Sequence, residues 1–310
     1  MIDPGETGGV VTSERSFDDY VASVLTGQIS APAAFVGERI AELFPGSAVL
    51  IYGSGISVSA DEDPTAVMFD YYVIAPSYQR AFPGRIERWA AQALPPNVYY
   101  FETPSPMGVL RAKYAVLSAD HFEKLVSRKT FHSYFWARFA QPSRIVSAPS
   151  EMQRRILNGV KTAARTFLSN ARGLAAGEAD WRAIWLAGMN ASYRAELRAE
   201  SGGRAEKLVE SYGRWPQRLA EYALADAGAE PPSRASGFAW RLRAIQGGFL
   251  SVARLLKATA TFHGGIDYIA WKIQRHTGID LQVKPWERRL PLIAAPVVAL
   301  RYYRMRGARR

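Results

Sequence analysis

The sequence predicts an α+β protein with a mixed sheet in its first half, helices in its second half and a basic amphipathic segment at its end. Strand-like and helix-like stretches alternate up to about residue 148, and only helical spacing follows as far as residue 229. Positive charge is concentrated beyond that point. We therefore expect domains over residues 1–148 and 149–229, followed by a linker and a basic segment over residues 230–310.

Runs rich in β-branched and aromatic residues predict the strands of the first half, at 48–52, 67–74, 98–101 and 110–117. The first run ends in Gly53-Ser54-Gly55, which indicates a buried strand that enters a tight turn. Apolar residues at helical spacing predict the helices, at 16–25, 33–44, 86–93, 121–127 and 133–139.

The second half is predicted to be helical at 152–168, 180–186 and 205–225. A Pro- and Ser-rich stretch at 230–237 predicts a linker. The whole net charge of +11 lies after it, because residues 238–310 hold 14 basic and 3 acidic residues, while residues 1–237 hold 25 of each. Such a tail should meet a polyanion, either a nucleic acid or an anionic lipid surface.

Composition excludes several classes of site. The chain has no cysteine, so it has no disulfide scaffold, no thiolate zinc site and no cysteine nucleophile. Its four histidines show no paired metal-ligand spacing. The acidic start resembles neither a signal peptide nor a transit peptide, and no apolar run of about 18 residues predicts a transmembrane helix.

The Gly-Ser-Gly turn and Asp70 on the next strand form a pattern typical of nucleotidyltransferases. Glycines let backbone N–H groups approach a phosphate, and the Ser54 hydroxyl can donate to a phosphate oxygen. A carboxylate within an apolar strand is costly unless it is paired or holds a metal ion. The alternatives are an ordinary turn and an outward-facing aspartate on an edge strand.

Such enzymes commonly carry a second carboxylate two residues after the first, but Tyr72 occupies that position here. Asp63 in the intervening loop and Asp120 are the candidates for a second metal ligand. Solvated loop acids and a helix N-cap, respectively, are the alternative interpretations of these two residues.

Three cations are candidates for binding phosphate groups. Lys113 lies on a strand with apolar neighbours, and Arg138 lies on a predicted helix. Arg194 shares a helix face with Arg198, four residues later. A solvent-exposed side chain is the alternative for each of them.

Six short motifs follow one another along the chain: Tyr52-Gly53-Ser54-Gly55, Phe69-Asp70, Val98-Tyr99-Tyr100, Lys113-Tyr114, Ala137-Arg138 and Tyr193-Arg194. Their order resembles that of one enzyme family, the mitochondrial-type phosphatidate cytidylyltransferases (translocator assembly and maintenance proteins) and their bacterial relatives. The chain departs from the family pattern at Pro95-Pro96-Asn97, where a Gly-rich stretch is usual, and at Phe101, where the family has Asn.

The resemblance implies a nucleotidyltransferase domain and a small winged-helix-like domain with CTP in the cleft between them. It implies CMP transfer from CTP to phosphatidic acid, with Mg²⁺ as cofactor. The catalytic residues would be Ser54, Asp70 and Lys113, with Asp70 as a metal ligand. The nucleotide-binding residues would be Tyr52, Gly53, Ser54, Gly55, Lys113, Arg138 and Arg194.

The basic tail combines apolar helix faces with interleaved aromatic and basic residues, which is typical of a segment lying in a membrane interface. No nucleic-acid-binding motif is present, and the resemblance implies an anionic lipid as substrate. An anionic membrane surface is therefore the expected partner and a nucleic acid is not. The missing transit peptide favours the cytoplasmic face of a bacterial inner membrane. The expected membrane-contacting residues are Arg254, Lys257, Trp271, Lys272, Arg275, Trp286, Arg288, Arg289, Arg301 and Arg304. A basic helical pair packed on the body is the alternative.

Overall fold

The computed structural model describes residues 16–56, 63–175, 180–196, 203–225, 236–261 and 280–289, together with isolated positions between 270 and 305. It confirms an α+β fold built on one open five-stranded mixed sheet. The strands are β1 (Ala48–Tyr52), β2 (Met68–Ala75), β3 (Asn97–Ser105), β4 (Gly108–Ser118) and β5 (Ser143–Ser147).

The sheet order is β3-β4-β2-β1-β5, in which β2 and β4 are parallel and the other neighbours are antiparallel. Helices cover both faces of the sheet. They are α1 (Phe17–Leu25), α2 (Ala31–Leu43), α3 (Tyr78–Ala81), α4 (Arg85–Ala93), α5 (Ala119–Val126), α6 (Tyr134–Phe139), α7 (Ser150–Arg172), α8 (Trp181–Ala195), α9 (Arg204–Ser211), α10 (Trp215–Ala225), α11 (Ser236–Thr261) and α12 (Pro285–Arg289).

Successive side chains of the central strands pack alternately into two hydrophobic cores, one on each face of the sheet. Leu50 and Tyr72 point to the face covered by α5, α6 and α7, whereas Val49 and Val73 point to the face covered by α2. The first core runs without a break into the helical half, where it includes Phe167. The described part of residues 149–229 contains helices and no strand, and the predicted domain boundaries stay predictions.

Several elements differ from the sequence-based predictions. Strand β5 was not predicted, because only Ile145 and Val146 of its five residues are apolar. Helix α3 was not predicted either, and α8 extends to Ala195 instead of ending at residue 186. The helix predicted at 205–225 is broken into α9 and α10 around Gly213. Most of the predicted linker at 230–237 lies outside the described residues, but its last two residues already belong to α11.

The first part of the basic tail packs on the body as the long helix α11. Trp240 is buried and lies edge-on against Trp136, with ring centroids 5.6 Å apart. The Arg243 guanidinium donates to the carbonyl of Phe131 at 2.9 Å. A Cβ at Gly247 would lie 2.4 Å from the carbonyl oxygen of Ala195, so glycine permits this close approach of α11 to α8. None of the described helices is long and apolar enough to cross a membrane.

Acid is expected to destabilise the fold through His132, which precedes α6. Burial, with the nearby Arg254 guanidinium, lowers the pKa of His132 from 6.5 to about 4. Between these two pH values the unfolded chain binds a proton that the folded chain does not bind. The free energy of unfolding therefore falls as the pH drops through this window, by up to about 3 kcal/mol. Denaturation of wild type and His132→Phe at pH 7 and pH 4.5 measures this effect, and an equal pH dependence of the two proteins would contradict it.

Candidate functional site

Three neighbouring strands place three predicted site residues side by side. Tyr52 of β1 pairs with Asp70 of β2, which pairs in turn with Lys113 of β4. Residues paired directly across neighbouring strands point to the same face of a sheet, so the three side chains share one face, and their strands lie about 4.8 Å apart. The Lys113 Nζ atom lies 4.0 Å from Asp70 Oδ1, and both side chains are about 30% exposed, at 29% and 32%. This is a loose ion pair that solvent or a ligand can reach.

These residues line a cavity of about 340 Å³ beside helix α6. A volume in this range suits a small-molecule ligand. The residues that line it are Tyr52, Asp70, Val98, Lys113, Tyr114, Ala115, Tyr134 and Arg138. The structure thus brings Asp70, Lys113 and Arg138 together as the sequence predicts. Sequence reasoning missed Tyr134, although its position four residues before Arg138 puts both on one helix face.

Arg138 is the most buried cation of the cavity. Its guanidinium lies 3.8 Å from the Glu196 carboxylate and 5.4 Å from the centre of the Tyr52 ring. Burial alone would lower the pKa of Arg138, but Glu196 and the nearby tyrosines hold it well above its ordinary value. Its buried Nε atom has no hydrogen-bond acceptor among the described residues. This N–H group could donate a hydrogen bond to a bound ligand. No pattern in the sequence indicated that Glu196 would be its partner.

Tyr72 fills the position where a second carboxylate would be expected, and the structure buries it. Its ring packs against Tyr52, with centroids 4.8 Å apart, and against Phe139, with centroids 4.6 Å apart. Burial raises the pKa of Tyr72 well above its ordinary value, so the hydroxyl stays protonated. This position therefore supplies no negative charge.

Neither candidate for a second metal ligand lies at the cavity. Ser118, at the end of β4, lies five positions beyond Lys113, which corresponds to about 17 Å along the strand. Asp120 comes two residues after Ser118. Its carboxylate is 85% exposed and pairs with Arg155 at 2.6 Å. Asp63 caps a 3₁₀ turn and accepts hydrogen bonds from Thr65, which lower the pKa of Asp63. The position of Asp120 contradicts its prediction as a metal ligand, whereas the role of Asp63 stays a prediction.

The described residues contain no group of three or more histidine or acidic side chains placed to hold a metal ion. Asp70 is the one carboxylate in the described lining of the cavity. Mg²⁺ in nucleotide sites is commonly held by one or two carboxylates and by phosphate oxygens of the substrate. The donor set therefore fits a Mg²⁺ ion that arrives with a phosphate ligand and binds Asp70.

The predicted phosphate loop forms a 3₁₀ turn, Gly53–Ile56, directly after β1. Gly53 has a φ angle of +71°, in the left-handed region that favours glycine. The backbone of Ser54 lies in this turn next to Tyr52, but its side chain lies outside what the structure describes. The predicted role of the Ser54 hydroxyl therefore stays a prediction.

Arg194 does not line the cavity. Its side chain is exposed, and its Nε atom donates to the carbonyl of Asn190 in the same helix at 3.3 Å. The sequence interpretation of Arg194 as a phosphate ligand is not supported by this position.

The predicted membrane-contacting residues of the tail divide into three groups. Arg254 and Lys257 point into the body and donate to carbonyl oxygens of residues 94–96, which corrects their predicted contact with a membrane. Arg301 forms an ion pair with the buried Glu287, while Trp286 and Arg304 are exposed. The structure does not describe the side chains of Trp271, Lys272, Arg275, Arg288 and Arg289.

Comparison with protein-family models and with curated proteins finds no match for this chain.

Proposed function

We propose that the protein is a nucleotidyltransferase that moves CMP from CTP to phosphatidic acid, giving CDP-diacylglycerol and pyrophosphate. The observation that carries the proposal is the meeting of Asp70, Lys113 and Arg138 in one cavity, which suits the phosphates of a nucleotide. The sheet would then be a nucleotidyltransferase core and the helices after β5 a winged-helix-like domain. CTP and phosphatidic acid are proposed as the substrates because the order of the sequence motifs, which include Tyr52 and Asp70, resembles that of the phosphatidate cytidylyltransferases.

In the proposed reaction, a phosphate oxygen of the lipid attacks the α-phosphorus of CTP. A new P–O bond forms, the bond from the α-phosphorus to its bridging oxygen breaks, and pyrophosphate leaves with that electron pair. A phosphomonoester with a second pKa of about 6 is already a nucleophile at neutral pH, so no general base is required. Lys113 and Arg138 would stabilise the charge that develops on the leaving group.

Mg²⁺, held by Asp70 and phosphate oxygens, would supply further charge neutralisation at the triphosphate. The Tyr52 ring, which lies against Arg138, would limit the room for the nucleotide on that side. Tyr134, on the same helix as Arg138, would help to exclude water from the cavity. These residues bind and orient, and they transfer no proton.

Helix α11 supports contact with an anionic membrane surface. Five large apolar side chains on its outer face are exposed at alternating spacings of four and three residues: Phe238, Leu242, Ile245, Phe249 and Val252. We call this set the apolar stripe. The helix contains no acidic residue. Three of its four cations, Arg243, Arg254 and Lys257, donate to carbonyl oxygens of the body, so the apolar stripe, not the charge of this helix, is what suits a bilayer interface. The stripe supports a peripheral membrane protein, and its proposed location is the cytoplasmic face of a bacterial inner membrane.

The variant Phe249→Asp is expected to weaken binding to anionic vesicles by at least about tenfold, because burial of one phenylalanine contributes about 1.5–3 kcal/mol. The phenylalanine is 76% exposed, so the fold should tolerate the change. Leu43→Asp introduces the same charge at a residue that is 53% exposed on the body, and it is the matched control. Vesicle sedimentation measures both variants. Equal binding by wild type and Phe249→Asp would exclude the apolar stripe as the contact surface.

The function is tested by incubating the purified chain with labelled CTP, Mg²⁺ and vesicles that contain phosphatidic acid. We expect lipid-linked CMP and pyrophosphate in equal amounts. RNA and an unrelated polypeptide are added as competing acceptors. Label that enters either of them instead of lipid would overturn the choice of acceptor, and no label in any acceptor would overturn the activity.

A second candidate is a membrane-bound protein that binds a nucleotide without transferring it. Tyr72 favours this candidate, because a buried protonated hydroxyl replaces a second carboxylate next to Asp70. Calorimetric binding of CTP without any product in the transfer assay would support it.

A further inference from the structure

The face of α11 that packs on the body forms hydrogen bonds with a short segment, which directly precedes a residue that lines the cavity. We call residues 94–97 the rim segment. Arg254 Nε donates to the carbonyl of Pro95 at 2.8 Å. Lys257 Nζ donates to the carbonyl of Pro96 at 2.9 Å and to Oδ1 of Asn97 at 2.8 Å, and it also contacts the carbonyl of Leu94. Two side chains three residues apart on one helix thus hold all four residues of the rim segment.

The rim segment sets the position of one cavity wall. Asn97 is fully buried at the start of β3, and its side chain donates to the carbonyl of Glu87 at 3.4 Å. The next residue, Val98, lines the cavity and pairs with Ala115, two positions from Lys113 on β4. A displacement of the rim segment would therefore move Val98 relative to Lys113.

Arg254 reaches the opposite wall as well. Its guanidinium lies 4.4 Å from the centre of the Tyr134 ring, within the range of a cation–π interaction. Tyr134 lines the cavity and lies one helical turn before Arg138. Arg254 thus contacts both β3 through the rim segment and α6 through Tyr134.

The chemistry of this contact differs from ordinary helix packing. Burial lowers the pKa of Arg254, and burial together with Arg254 lowers the pKa of Lys257 to about 8, so both cations are substantially desolvated. Apolar side chains of similar volume would pack here at a smaller desolvation cost. The charged groups instead satisfy oxygen atoms of the rim segment, which apolar side chains could not do.

We propose that Arg254 and Lys257 are positioning residues, which fix two walls of the cavity from α11 and make nucleotide binding depend on this tail helix. The proposal rests on the proposed function only for the choice of CTP as the probe. It assigns the tail a role at the cavity that is separate from any contact of the apolar stripe with lipid.

The test compares Arg254→Ala, Lys257→Met and the conservative Arg254→Lys in the full chain. Arg241→Ala is the matched control, because Arg241 is an exposed cation on the same helix. Hydrogen exchange reports on residues 97–101 and 134–139, and calorimetry measures the Kd for CTP with Mg²⁺. We expect faster exchange in these two segments and about tenfold weaker CTP binding for the first two variants. Arg254→Lys should lie between them and wild type, and Arg241→Ala should match wild type.

Wild-type exchange in both segments of Arg254→Ala and Lys257→Met would overturn the proposal. So would a uniform rise in exchange over the whole sheet, because that result describes a structural role. If one alanine or methionine variant does not fold, Arg254→Lys and the other variant decide the question. The exchange measurement needs no activity, so a protein that fails to transfer CMP can still confirm or refute the positioning role.

Discussion

Replacing Asp70 by asparagine is expected to lower the rate of CMP transfer by about a thousandfold. The substitution removes the one carboxylate in the described lining of the cavity and leaves Lys113 and Arg138 in place. CTP binding should be retained or strengthened, because the cavity loses a negative charge that repels phosphate groups. The expected signature is a collapse of kcat with little change in the Kd for CTP.

Initial rates with phosphatidic acid vesicles and calorimetry with CTP measure the two quantities. Asp19→Asn makes the same chemical change at an exposed position on α1 and should keep the wild-type rate. A transfer rate in Asp70→Asn within about threefold of wild type would refute the assignment of Asp70. If CTP binding were lost together with the rate, Asp70 would instead be assigned to the binding of CTP in the ground state.

Replacing Glu196 by glutamine is expected to lower the free energy of unfolding by about 3–5 kcal/mol. Glu196 is 8% exposed and lies 3.8 Å from Arg138, which is itself 11% exposed. Removing the carboxylate leaves a desolvated guanidinium without this counter-charge, and the cost of that state is high. Urea denaturation of both proteins measures the difference.

Glu210→Gln is the matched control, because it breaks the exposed ion pair of Glu210 with Arg182. That pair should contribute less than about 1 kcal/mol. The double variant Arg138→Met with Glu196→Leu should recover much of the lost stability while losing affinity for CTP. Equal effects of Glu196→Gln and Glu210→Gln would show that Arg138 does not depend on Glu196.

The sequence allowed the centre of the sheet and part of the site to be predicted for a local reason. The apolar run of β1 matches the structure residue for residue. Asp70 and Lys113 could be paired because each lies within a strand. Asp120 could not be placed correctly, because strand direction decides the outcome. Strands β2 and β4 run parallel, so a residue after the end of β4 lies far from the beginning of β2.

The tail shows a second limit of pattern reasoning. Helical periodicity separates Phe249 and Val252 from Arg254 and Lys257, but it does not tell which side meets the body. The sequence predicts that Arg254 and Lys257 are exposed and contact a membrane. In the structure the apolar side chains are exposed, and both cations point toward the body. Contacts with residues distant in sequence, among them the carbonyl oxygens of residues 94–96, determine this orientation.

The attachment of α11 to residues 94–97 also has a consequence for the order in which the protein is made. The ribosome adds Asp70 and Lys113 early and reaches Lys257 roughly 150–190 residues later, which takes about 10–40 s at common synthesis rates. Once β5 has been made, the nascent chain has every described strand of the sheet but lacks the helix that contacts residues 94–97. Under the proposed positioning role, full nucleotide affinity should therefore appear only late in translation.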